Sequence, residues 1–214
     1  MNRAAAGGQA PGTGPVPSAG APARATRSAA RSAALARAAR TAAPAAGPAS
    51  ARELFRKVAA GVSVVTTRGA DGRPLGLTAS AVTTLSLEPA LLLACVSVNS
   101  TTLPAIRAHR AFAVHLLHAD QSTLAEVFAG HTGKSGAARF AGVPFRWKQG
   151  VPVLTRALGW AVCTLRDEQR YGDHSVLVGD LTLHTQNEGE PLIWHDRRFR
   201  TLTAREPQDA LVDS

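Results

Sequence analysis

One short stretch of the sequence sets two titratable side chains side by side: Gly172-Asp173-His174, directly ahead of an alternating run through Val176, Val178 and Leu181. Two readings fit this corner. In the plainer one it is a hairpin turn, with Gly supplying an unusual φ and Asp capping the turn. In the sharper one it is a polar knot that leans over a ligand at the start of a strand.

Two quieter stretches bear on the choice. Residues 76–82, GLTASAV, are a run of small side chains with hydroxyls at Thr78 and Ser80. Small residues let a flat ring approach the backbone, whose N–H and C=O groups can then bond its edge. The same residues also suit an ordinary strand. Residues 97–107, SVNSTTLPAIR, end an apolar strand and open a helix. Ser100 is a natural N-cap, and a hydroxyl-rich helix start offers unpaired N–H groups and a positive dipole to an anion. Simple capping explains these residues equally. Taken together, a ring platform and an anion pocket one strand apart suit a mononucleotide with a heterocycle and a phosphate.

Other constellations fail on spacing. Residues 130–135, GHTGKS, imitate a phosphate-binding loop, but two residues separate the glycines where that motif needs four. The preceding residues also have a helical rather than a strand pattern. His109, His115, His118 and His131 are scattered over different elements without cysteine partners, so no metal site is expected. No serine stands in a GxSxG elbow, which leaves a hydrolase unsupported.

The elements that must carry these stretches are mostly strands. Residues 51–60 have helical spacing. Residues 61–67, 75–87 and 90–98 read as strands joined by short turns, Asp71-Gly72 and Pro74 marking the first turn. A helix is predicted at about 101–109, a strand at 112–117 and a helix at about 120–130. Residues 131–150 read as an irregular Gly-rich segment. Strands follow at 157–165 and 174–184, then a hairpin near 191–202 around Asp196-Arg197-Arg198. Six or seven strands, few helices and no βαβ alternation predict a mostly β fold: an antiparallel closed or split β-barrel with a few flanking helices.

Composition divides the 214 residues unevenly. Residues 1–48 are Ala-, Arg- and Pro-rich, with no acidic and no aromatic side chain, and are expected to be disordered. Residues 49–205 suffice for one domain with a core, and 206–214 read as a short flexible tail. Six of the 24 basic residues lie in the N-terminal segment; the remaining 18 face 15 acidic ones, a net charge of +3. The basic character therefore belongs to the tail, and the domain surface argues against nucleic acid as its partner. The tail itself suits weak contact with nucleic acid or membrane, a transit-like role, or an over-extended start, which the residues do not separate. No run of 18 apolar residues suggests a membrane span. Cys95 and Cys163 lie in apolar strand-like runs without CxxC spacing and read as reduced core thiols of a cytoplasmic protein.

The order of these segments is also specific. From Phe55 through GLTAS and SVNSTT to Arg107, then FAVHLL, Gln121, VFA, Arg139-Phe140, GVPVL, Cys163, the GDH corner with VGDL, and PLIW, the chain resembles the short-chain flavin reductase family. The resemblance spans about 52–202 and implies the FMN-binding split barrel. It departs mildly: Glu88-Pro89-Ala90 stands where Asp-Pro-Pro is frequent, and Arg139-Phe140 where Lys-Phe is common. The resemblance implies an NAD(P)H:flavin oxidoreductase passing a hydride from NADH or NADPH to FMN or FAD, in many members for release to a partner monooxygenase. Carried over by position, Thr78, Ala79, Ser80 and Ala81 would line the isoalloxazine ring. Ser97, Asn99, Ser100, Thr101 and Thr102 would hold the ribityl chain and phosphate, with Arg139 near that phosphate. His174 would sit at the nicotinamide side as the catalytic position. A homodimer with flavin near the interface is implied as well. The alternatives are a flavin-binding module without turnover and a relative of pyridoxamine-phosphate oxidase on the same fold.

Overall fold

The computed structural model describes residues 47–202. The chain divides into two units, 1–47 and 48–214, and every described element falls in the second. The expectations of a disordered 1–48 segment and a flexible 206–214 tail therefore lie outside the described residues, apart from Gly47 and Pro48. Pro48 already opens helix α1 (Pro48–Phe55), the favoured residue for a first helical position.

Twelve strands follow, most of them in one antiparallel sheet. They are β1 (Ala60–Gly61), β2 (Ser63–Arg68), β3 (Pro74–Ala79), β4 (Val82–Leu87), β5 (Ala90–Ser97), β6 (Ala111–Leu116), β7 (Phe145–Lys148), β8 (Val151–Leu154), β9 (Gly159–Tyr171), β10 (His174–Gln186), β11 (Ile193–His195) and β12 (Arg198–Arg200). Helices α2 (Thr102–His109) and α3 (Ser122–Ala129) flank β6, and a 3-10 helix spans Gly136–Phe140.

The seven-stranded sheet runs β3-β2-β6-β9-β10-β5-β4. Its two edge strands, β3 and β4, are consecutive in the chain, joined only by Ser80 and Ala81. A connection of two residues spans only about 10 Å, so the sheet must curl until its edges nearly meet. Yet β3 and β4 pair with β2 and β5 and not with each other. The barrel is thus split, and the split falls within the GLTAS segment.

Burial follows the pleat. β2 is buried on both faces: Val65 points into a cluster with Phe112, Val114, Leu165 and Leu177, and α2 adds Leu103 and Ile106. Its neighbour Val64 points the other way, into a cluster with Leu117, Ala125, Phe128, Phe140 and Leu154 that attaches α3 and the 3-10 helix. Each fully buried Phe or Leu stabilises by about 2–3 kcal/mol.

Three expectations need correction. The single strand at 75–87 is two strands broken at Ser80-Ala81. The segment 131–150 is less irregular than its glycines suggest, since β7 pairs with β8 through a Gln149-Gly150 turn in which both residues have positive φ. The strand at 157–165 starts at Gly159 and runs on to Tyr171, because its polar half pairs with β10, which is held on its other side by β5.

Candidate functional site

The β9–β10 pair ends in the GDH corner. Tyr171 pairs with His174, which leaves Gly172 and Asp173 as a two-residue loop with Gly172 at φ 61°, the sign a tight hairpin needs there. The corner is therefore a hairpin turn. Its register also sets His174 opposite Ser97, and the Val98 N–H donates to the Asp173 carbonyl at 3.0 Å. Strand pairing thus delivers the histidine to the start of the SVNSTT segment. His174 Nδ1 donates to Asp173 Oδ1 at 2.9 Å, and this bond holds the Asp173 carboxyl below the ordinary carboxylate range. The bond fixes the ring and turns Nε2 away from the carboxylate.

A cleft of about 430 Å³ opens along the split. Thr78, Ala79, Ser80, Ala81, Ser97, Asn99, Ser100, Thr101, Arg139 and His174 all line it. Of the residues assigned to the site from sequence, only Thr102 stays out: it is buried at the first turn of α2, where its N–H donates to Ser100 Oγ at 3.1 Å. Thr101 and not Ser100 holds the N-cap position of α2, without a side-chain cap bond; Ser100 stands one residue earlier, and its Oγ accepts from the first helical N–H.

The wall is not uniform in what it leaves free. Thr78 Oγ1 is spent on the Ala125 carbonyl at 2.6 Å, and the Ala81 carbonyl on the Cys95 N–H at 2.8 Å. Ser80 lies outside both ladders, at the break between β3 and β4. Its backbone and hydroxyl take no partner among the described residues, and it faces the cleft. The Asn99 side-chain amide and the Thr101 hydroxyl likewise take none, while the Asn99 N–H bonds Ser97 Oγ at 3.3 Å. These groups can accept and donate to the edge of a heterocycle and to the oxygens of a polyol phosphate. Arg139 is more committed than a free surface cation. Its Nη1 donates to the Gly76 and Phe128 carbonyls at 2.9 and 3.0 Å, and its Nε to the Lys134 carbonyl at 3.2 Å.

Leu77, Cys95, Phe128 and Ala129 also line the cleft and were not read from sequence. Cys95 is half-buried, which corrects its reading as a core thiol; burial raises its pKa. Strand parity could have found it, since Cys95 and Ser97 share a face of β5. Cys163 is the core thiol expected, pushed up to about 12 by burial. Beside the cleft, and sharing Thr78, Ser80 and Ala129 with it, lies a pocket of about 150 Å³ walled by Trp194 and Phe199. A larger depression of about 710 Å³ around His118, Gln121, Arg156 and Glu190 holds none of the sequence-assigned residues. No group of three or more His, Cys, Asp or Glu among the described residues could hold a metal ion, and no described helix is long and apolar enough to cross a membrane.

Residues 55–203 match the family model described as flavin reductase like domain. The chain is 35% identical over 153 residues to actinorhodin polyketide dimerase of Streptomyces coelicolor, covering 71% of this chain and 84% of that protein. It is 37% identical over 162 residues to NADH:riboflavin 5'-phosphate oxidoreductase of Streptomyces pristinaespiralis, covering 74% and 90%. Among solved structures, BorF, the flavin reductase component of a bacterial two-component tryptophan halogenase, aligns with a TM-score of 0.67 at 31% identity, over 74% of this chain and all of that one. A split barrel with its cleft along the split, and a family match over most of the chain, lead to one conclusion: the chain belongs to the flavin reductase like domain family.

Proposed function

We propose that this chain is an NAD(P)H:flavin oxidoreductase whose flavin occupies the cleft at the barrel split. The observation that carries the reading is Ser80: a residue whose main-chain and hydroxyl groups take no partner among the described residues, between edge strands β3 and β4, amid small side chains that admit a planar ring. The residues fit the group. Asn99, Thr101 and the hydroxyls of Ser97 and Ser100 suit the ribityl phosphate, and the remaining Arg139 Nη2 supplies a cation for that phosphate. When bound, FMN or FAD supplies the two-electron chemistry, accepting a hydride equivalent from the nicotinamide.

What the protein contributes is placement. Hydride transfer needs two rings stacked at the right distance and no general acid, so the absence of a catalytic triad is consistent with the reaction. His174, held by Asp173, orients the nicotinamide nucleotide through Nε2. The reduced flavin passes to a partner oxygenase or halogenase; BorF is the flavin reductase component of such a two-component system, a bacterial tryptophan halogenase. A homodimer also fits, because Leu85 and Leu87 on edge strand β4 and Leu183 on β10 are exposed. Leu87→Asp is expected to give a monomer in light-scattering chromatography.

The test is NADH and NADPH oxidation with FMN or FAD added. Turnover dependent on both substrates is expected. Flavin binding without turnover would leave a non-catalytic flavin module. Binding of pyridoxine phosphate in preference to FMN would favour a relative of pyridoxamine-phosphate oxidase.

A further inference from the structure

We infer that Arg139 acts chiefly as a positioning residue: it clamps the ring platform to the end of α3, and the flavin phosphate is its lesser concern. The inference rests on the flavin reading of the cleft and specifies how that cleft is held in shape.

Arg139 meets carbonyls from three segments that do not otherwise share a backbone ladder. Gly76 belongs to β3, an edge strand whose outer side has no strand partner, and its carbonyl accepts from Arg139 Nη1 at 2.9 Å. Phe128 stands in the last turn of α3, where carbonyls have no partner within the helix, and its oxygen accepts from the same Nη1 at 3.0 Å. The Lys134 carbonyl takes Nε at 3.2 Å. Unpaired carbonyls at a helix C-terminus carry partial negative charge and would repel an anionic ligand beside them. The guanidinium both satisfies and offsets that charge.

The packing beneath the clamp is unusually tight. A Cβ on Gly76 would lie 2.8 Å from the Phe128 ring, so only glycine lets that ring rest on β3. Phe140, next to Arg139, meets the same ring: the Phe140 and Phe128 rings are 4.9 Å apart at 89°. One dipeptide thus fixes Phe128 by its carbonyl and by its ring, and both Phe128 and Arg139 face the cleft beside Thr78 and Ser80. A lysine presents a single nitrogen in place of the guanidinium fork and does not repeat bonds given by both Nη1 and Nε.

Riboflavin separates the two roles because it has the ring and ribityl chain of FMN and no phosphate. Dissociation constants for FMN and riboflavin are measured on wild type, Arg139→Met and Arg139→Lys, well below each protein's melting temperature. Positioning predicts that Arg139→Met weakens both ligands by a similar factor, about tenfold, that Arg139→Lys does not rescue either, and that the salt dependence of FMN binding changes little. Loss confined to FMN, rescue of both ligands by lysine, unchanged affinity for both, or a wild type that binds FMN but not riboflavin would each overturn the inference. If Arg139→Met does not fold, Arg139→Lys decides alone by the same ratio. A wild type that binds neither ligand refutes the flavin reading itself, a separate outcome.

Discussion

His174 Nδ1 and Asp173 Oδ1 stand 2.9 Å apart at the tip of the β9–β10 arm, and the same histidine pairs with Ser97 across the sheet. The imidazole is thereby oriented by a neighbour in sequence and delivered to the cleft by a distant strand. His174→Ala leaves Gly172 and Asp173 to make the turn, so the fold should survive. The loss of one or two contacts to the nicotinamide nucleotide, worth roughly 1–3 kcal/mol, should lower kcat/KM for NADH about tenfold to a hundredfold. Flavin affinity should barely move. Stopped-flow reduction of bound flavin reads this directly, and unchanged kinetics would return His174 to a turn residue only.

Flavin is expected to exchange and not to remain as a fixed prosthetic group. The groups available to it are hydroxyls, an amide and backbone atoms, and the one lining guanidinium is already shared among three carbonyls. Gel filtration of protein loaded with FMN should strip most of the visible flavin absorbance from the protein peak. Stoichiometric flavin surviving extensive dialysis would count against exchange.

The hairpin between β11 and β12 turns through Asp196 and Arg197, at φ 49° and 59°. A two-residue turn with both φ values positive prefers glycine, and arginine pays a steric penalty there. Arg197→Gly should stabilise by about 0.5–1 kcal/mol, raising Tm by a few degrees. The exposed Arg197–Glu53 pair it removes, at 3.6 Å, contributes little. A lower Tm in the glycine variant would show that this ion pair outweighs the backbone strain.

His115 is fully buried, its Nδ1 donating to the Val64 carbonyl at 2.9 Å and its Nε2 without a partner among the described residues. Burial pulls its pKa from the ordinary 6.5 to about 4, so the folded chain keeps it neutral. Between those values the unfolded chain binds a proton that the folded chain refuses. Stability is therefore complete above pH 6.5 and falls as pH drops towards 4, by at most roughly 3 kcal/mol from this group. Urea unfolding at pH 7 and pH 4.5 should show a smaller acid loss in His115→Leu than in wild type. Equal losses would mean that other groups drive the acid transition.

Much of the barrel was readable because its strands alternate or run apolar between turn residues. A split barrel was expected, but the position of the split was not readable, since Ala79-Ser80-Ala81 contains neither Gly nor Pro to mark a break. The outer half of β9, Arg166 to Tyr171, reads as loop because most of its residues are polar and exposed; only pairing with β10 makes it a strand. β7 and β8 were hidden by the glycines around them, and by Pro152, which a two-stranded edge tolerates. In the cleft, small residues and hydroxyls announced themselves. The carbonyls that occupy Arg139 could not, because a backbone acceptor has no letter in the sequence.

The described domain is sealed by joining its beginning to its end. Ala60 pairs with Trp194, Arg56 Nε bonds Asp196 Oδ1 at 3.0 Å, and the Asp196 N–H donates to the Arg56 carbonyl at 2.9 Å. A chain emerging from the ribosome makes α1 long before it makes the residues that anchor it. Every strand of the seven-stranded sheet is translated before Ile193, yet α1 has no latch, and the pocket beside the cleft lacks Trp194 and Phe199, until the last hairpin appears. Contacts of such long sequence separation form late and at high entropic cost. A product truncated shortly after β10 would thus hold the full seven-stranded sheet and every residue that lines the cleft while leaving α1 untethered, a state that proteases distinguish from the finished protein.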